Sequence, residues 1–213
     1  MKQIILSRMR REYTLEPREM GSLRTIQKFP YRFDCEAYTV KGVGNLFFIS
    51  MKAMFGLMTM STAVITPLDR DLSFANFDIV KAAGKETYMF EMYKSALHDP
   101  DFSSFRTIRK EFGELTDYES KPRWYDALRL EPSISKTGRK IGGRAERMME
   151  TCLEAYLVLL RNAPECDREA KKKAVEEYTG RLISEGGAAV DSMNKIIGRE
   201  KTAELISTYM YGL

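Results

Sequence analysis

LFFISMKAMFGLMTMSTAVITPLDRDLSFANFDIVKAAGKETYMFEMY, residues 46–93, is the stretch that decides the fold class. Its apolar residues fall in short runs rich in β-branched and aromatic side chains, at 46–51, 57–65, 74–81 and 86–92. That length and composition belong to strands rather than helices. Ala83, Gly84 and Lys85 read as a hairpin turn between the last two runs. Upstream, Phe33, Cys35, Ala37 and Tyr38 to Val40 lead into a GVGN turn at Gly42 to Asn45, so the sheet reading extends from Tyr31 to Tyr93. Successive strands joined by short turns predict an antiparallel sheet.

On the N-terminal side, Pro17 with Met20, Leu23 and Ile26 predicts a short helix. On the C-terminal side the period becomes helical. An apolar stripe at Phe105, Ile108 and Phe112 stops near Gly113, and Pro122 and Pro132 punctuate a loop. A long helix is expected from Gly143 to Arg161, ended by Pro164. Others run from an Asp167 cap to Gly186, over Val190 to Ile197, and from Glu200 to Tyr211. Strands followed by helices predict an α+β fold, a three-layer α/β/α sandwich with a central antiparallel sheet flanked by helices. With 213 residues, 44% of them hydrophobic, one domain over residues 1–213 is expected.

Composition removes whole classes of chemistry. His98 is the only histidine, which excludes a site needing two imidazoles. Cys35, Cys152 and Cys166 are odd in number and share no CxxC spacing, which argues for a reducing compartment without a disulfide framework. No export signal or spanning segment is read, so a cytoplasmic protein with no membrane partner is expected. Neither GVGN nor the glycines at Gly142 and Gly143 gives a phosphate-loop spacing. The net charge of +4 hides a basic run over residues 121–147, either a solvated face or an anion site.

Asp78 is the chemically informative residue. It sits inside the strand-like run FANFDIV, where alternation puts Phe74, Asn76, Asp78 and Val80 on one face and Ala75, Phe77 and Ile79 on the other. A carboxyl buried there holds its proton near neutrality and can deliver it to a substrate. The bland alternative is an Asp at a strand end, bonded to a loop.

Pro67, Asp71-Leu72, Asp78-Ile79-Val80 and the Gly84 hairpin resemble the core segment of the ferredoxin-dependent bilin reductases. Farther on, Pro122, Trp124, Ser133 and Lys136 resemble that family's Pro-x-Trp motif and Ser-rich loop, and Tyr156-Leu157 its Tyr-Leu helix. The ending Ile197, Gly198, Arg199, Glu200, Ala203, Glu204, Leu205, Tyr209 and Met210 is similar to its terminal helix, so the matches run in order over residues 57–213. The resemblance implies an antiparallel sheet between helices, with an open-chain tetrapyrrole such as biliverdin held between sheet and C-terminal helices. It further implies no bound metal or flavin, single electrons from ferredoxin, and protonation of a bilin radical by side chains, with Asp78 as donor. Thr62 stands where several members carry a histidine, Ser50 and Met51 where an acid would be sought, and Gly186 to Ala189 lack a basic residue that some members use. The substrate or the bond reduced would then differ.

Lys136, Arg139 and Lys140 are the candidate clamps for bilin propionates. Asn76, Met51, Met58, Met60 and Phe74 are the candidate pocket wall. Thr62 joins Asp78 as the candidate catalytic pair. Two other functions stay open: a tetrapyrrole or hydrophobe carrier on the same scaffold, and nucleic-acid binding through residues 121–147.

Overall fold

The computed structural model describes residues 1–98 and 100–213. Helix α1 spans Lys2–Glu12, and strands β1 (Leu15–Arg18), β2 (Thr25–Lys28), β3 (Tyr31–Val40), β4 (Gly44–Ala53), β5 (Met58–Pro67), β6 (Ala75–Ala82) and β7 (Lys85–Met92) follow. Helix α2 (Ser103–Glu111) precedes β8 (Ile134–Gly138), and α3 (Gly142–Asn162), α4 (Arg168–Glu185), α5 (Ala188–Ile197) and α6 (Arg199–Glu204) complete the helices, with a π-helical turn at Leu205–Met210. The described strands form one antiparallel sheet in the order β1, β3, β4, β5, β6, β7, β8, with β2 also paired to β3.

Alternation along the central strands feeds two cores. Leu46, Phe48, Ala63, Phe77, Tyr88 and Phe90 face the side covered by α1, α2 and α3. Phe33, Cys35, Phe47, Ile49, Met51 and Val64 face α4, α5 and the C-terminal turns. The three-layer α+β expectation therefore stands. Both faces of β4 are buried through Leu46 to Ile49, which is why its run is continuously apolar. In α3, Met148, Met149, Cys152, Leu153, Tyr156 and Leu160 repeat at helical spacing and are all buried. Helix α4 starts where Asp167 accepts a hydrogen bond from the Ala170 amide at 2.7 Å.

Three expectations need correction. The segment from Pro17 to Ile26 is not a helix but strand β1, a short 3-10 turn at Gly21–Leu23, and strand β2. The turn reproduces the three-residue spacing that imitated a helix, and Pro17, which has no N–H, lies on a strand at the sheet edge. Strand β8 fills part of the supposed loop. Its sequence ISKTG hides it because the core-facing position that follows Ile134 in the alternation is Lys136. Helix α1, which buries Ile5, Leu6 and Met9, was not anticipated. Among the described residues no helix is long and apolar enough to cross a membrane, and no cluster of His, Cys, Asp or Glu could hold a metal ion.

Loops are fastened to both layers. Lys171 of α4 is fully buried and donates to the Leu72 carbonyl at 2.9 Å and to that of Ser95. Burial lowers its pKa to about 8, against the pull of Asp71. At the C-terminus the Asn45 side chain donates to the carbonyls of Tyr209 and Met210 at 2.9 and 3.0 Å, while its own oxygen accepts from Arg18 at 3.1 Å. This clasp ties the π-helical turn to β4, and Tyr211 just beyond it is buried against Phe74 and Tyr178.

Candidate active site

The register of the sheet builds the site. Cross-strand partners share a face, so Cys35, Ile49, Thr62, Asp78, Met89 and Ser135 form one row across β3 to β8. The adjacent rows carry Val64, Asn76 and Glu91 on one side and Met60, Val80 and Thr87 on the other. Toward β3 and β4 this face is sealed beneath the C-terminal helices. Toward β6 and β7 it is not: Met60, Thr62, Asp78, Val80, Met89 and Glu91 all keep partial exposure. Val80 and Met89 belong to neither core. A strip of partly exposed, mostly apolar side chains thus surrounds the acid on this face.

Within that strip the Thr62 hydroxyl donates to Asp78 Oδ1. Burial pushes the Asp78 carboxyl up to about 7, Thr62 works against the rise by favouring the anion, and the negative charge of Glu91 adds to it. Asp78 as a residue is partly open, yet its carboxyl is hemmed in by protein on the strand side, and that desolvation sets its proton affinity. A carboxyl so placed exists in both protonation states near neutral pH, the condition for efficient proton transfer.

Glu91 is the acid that sequence reading missed. The resemblance points to β4, at Ser50 and Met51, for an acidic partner, but the structure supplies one from β7. Its carboxylate accepts from Tyr93 Oη at 2.8 Å and from Arg129 at 3.1 Å. Those two partners fix the position of its side chain beside Asp78. The sequence signal was available: Glu91 alternates with Met89 in MFEM, residues 89–92, on the strand that pairs with FANFDIV.

The other expected site residues divide. Asn76 shares the face and the strand of Asp78, and its Oδ1 is buried with no hydrogen-bond partner. Met60 and Met58 flank the strip, whereas Met51 is buried. Phe74 is on the right side but wholly buried, with ring centroids 4.9 to 5.8 Å from Tyr178, Tyr211 and Tyr93, so it supports the site from beneath rather than lining it. Lys136 does not join Asp78. It pairs with Tyr88 on the α3 face, is 2% exposed, and spends its ammonium on Asp117 at 2.7 Å and the Leu115 carbonyl at 2.9 Å. Arg139 and Lys140 lie at the end of the sheet in a depression shared with Thr59, Lys81 and Glu86, residues whose row faces α3. The three clamp candidates are therefore separated from the acid by the sheet. His98 is also elsewhere, bonded to Asp71 at 2.9 Å.

The basic run over 121–147 does not make one surface either. Arg129 is paired with Glu91 and Asp126, and Arg144 with Glu114. Trp124 turns inward, donating to the Gly186 carbonyl at 2.9 Å, with Arg181 stacked 4.5 Å from its ring centre.

Fold and site together define a class: an antiparallel sheet between two helical layers, with a proton-holding acid on the half-open sheet face. Among solved structures, tomato phytochromobilin synthase, determined in complex with biliverdin, shares this fold. It superposes with a TM-score of 0.80 over 99% of this chain and 81% of its own, at 11% sequence identity. No protein-family model matches the chain, and no curated protein matches it in sequence.

Proposed function

We propose that the chain binds an open-chain tetrapyrrole on the partly exposed strip around Asp78 and reduces it, taking single electrons from a ferredoxin-like carrier and protons from Asp78. The observation that carries this reading is the carboxyl held at about 7 in an apolar, half-open surface. A flat conjugated ligand lying on Met60, Val80 and Met89 would cover apolar area that the helices leave exposed, worth roughly 25 cal/mol per Å² buried. Reduction of one double bond consumes two electrons and two protons. Asp78 donates to the electron-rich reduced pigment and then recovers a proton from solvent. Thr62 orients the carboxyl, and Glu91 keeps its proton affinity high.

Thr62 favours a second reading. An aliphatic hydroxyl is too weak an acid to give up its proton at neutral pH, so the site has one ready proton donor in place of a pair, and a tetrapyrrole carrier without turnover fits that arrangement. Anaerobic mixing with biliverdin, ferredoxin and a reductant separates the two. Loss of the biliverdin band with a new visible spectrum supports reduction. A stable coloured complex that never changes selects the carrier, and no spectral shift on mixing rejects both.

A further inference from the structure

Three hairpin turns and the exit of β8 lie side by side at one end of the sheet, and their residues are unusual for a free surface. Phe29 in the β2–β3 turn is 83% exposed, and in the β4–β5 turn Met54, Phe55 and Leu57 are 55, 96 and 72% exposed. The rings of Phe29 and Phe55 meet edge to face at 6.3 Å, so the two turns present one apolar tip. Met54 and Phe55 both adopt left-handed backbone, φ 50° and 57°, a conformation that glycine or asparagine would occupy at lower cost. The turn thus holds large apolar side chains outward, where they gain no burial within the molecule.

The neighbouring turns are cationic. A depression of about 490 Å³ beside Leu57 is lined by Lys81, Lys85, Arg139 and Lys140 against one acid, Glu86. Lys81 is tied to Glu86 at 3.4 Å, while Lys85, Arg139 and Lys140 have no carboxylate partner among the described residues. Lys28 and Lys52 flank the apolar tip on its other side, both exposed. The Lys28 ammonium donates to the carbonyls of Lys195 and Ile196 at 3.0 and 3.3 Å, so the cations left without a carboxylate are chiefly Lys85, Arg139 and Lys140. Aromatic and aliphatic side chains at the apex of adjacent turns, with these cations beside them, match the chemistry of a bilayer surface: acyl chains accept the apex and anionic headgroups the cations.

We propose that this end of the molecule docks on an anionic lipid bilayer, with Phe29, Phe55 and Leu57 entering the headgroup boundary and Lys85, Arg139 and Lys140 meeting lipid phosphates. The apex is convex and its side chains stand almost fully in water, whereas a protein-binding patch is commonly flat and keeps its anchors in partly desolvated pockets. The proposal does not rest on the tetrapyrrole reading, because it uses none of the residues around Asp78.

The test is co-sedimentation of the full chain with sucrose-loaded phosphatidylcholine vesicles, with and without phosphatidylglycerol. Binding is expected to the anionic vesicles alone and to weaken with added salt. The double variant Phe55→Ser, Leu57→Ser is expected to lose about tenfold in affinity, and so is Lys85→Gln, Arg139→Gln, Lys140→Gln. All these positions are exposed, and circular dichroism confirms that each variant is folded. The proposal is overturned if the parent does not sediment with anionic vesicles or if the Phe55/Leu57 variant binds as well as the parent. It is also overturned if the parent is a dimer that the same variant converts to monomer, since the tip is then a self-association surface.

Discussion

Thr62 on β5 and Asp78 on β6 stand directly opposite each other in the sheet, and the hydroxyl of the first donates to the carboxyl of the second. The bond stabilises the anion and opposes the burial that raises its pKa, while Glu91 reinforces the rise. Thr62→Val is therefore expected to move the Asp78 titration to higher pH, and Glu91→Gln to lower pH. Carboxyl NMR chemical shifts across pH 4 to 9 read both, and shifts in the same direction would refute this arrangement.

Asp78→Asn removes the ionisable proton while keeping the size of the side chain. Under the proposed reaction it lowers turnover by at least about 10²-fold and leaves biliverdin affinity within a few-fold. In the parent, turnover falls as pH rises through about 7, where the acid loses its proton. Steady-state rates over pH, beside a spectral binding titration, check both.

The same carboxyl makes a stability prediction that needs no substrate. Its folded pKa, about 7, lies above the unfolded value, so the folded state binds the extra proton between roughly pH 4 and 7. Stability of the parent should fall as pH rises through that window, by an amount on the order of a few kcal/mol. Asp78→Asn should match the parent near pH 4 and exceed it at pH 8, as read by urea unfolding.

Asn45 bonds the carbonyls of Tyr209 and Met210 at the π-helical turn. Asn45→Ala leaves those carbonyls without their donor, while Arg18 keeps its bond to the Thr208 carbonyl at 2.7 Å, and should cost about 2 kcal/mol. Loss of amide protection confined to residues 205–213 would locate the damage, and unchanged protection there would contradict it.

Lys136 is bonded on the α3 side of the sheet. Lys136→Met is expected to leave tetrapyrrole affinity within about twofold; a large loss would mean that it reaches the ligand after all.

Where one residue type dictates one environment, the sequence was readable. Runs such as LFFISM and FANFDIV announced strands, and Met148, Cys152 and Tyr156 announced α3, because burial on one face leaves a period in the chain. The placement of Asn76, Asp78 and Val80 on one face also followed from alternation. What escaped were features that depend on partners distant in sequence. Strand β8 carries a lysine where the pattern calls for an apolar residue, and that lysine is acceptable only because Asp117 and the Leu115 carbonyl meet it. Glu91 and Asp78 are brought together by the β6–β7 register alone. A basic stretch in sequence, residues 121–147, suggests either a solvated face or an anion site, but the chain distributes its cations among the loops, β8 and α3.

The two sides of the sheet are unequally sealed. Under α3, Met148, Cys152 and Tyr156 have no exposure at all, whereas the side beneath α5 keeps its uncovered band. Breathing of the molecule will consequently be lopsided: α5 amides exchange with solvent through small local openings, while those of α3 wait for global unfolding. A flat guest could come and go by that one-sided mobility without disturbing the wall that keeps the chain folded.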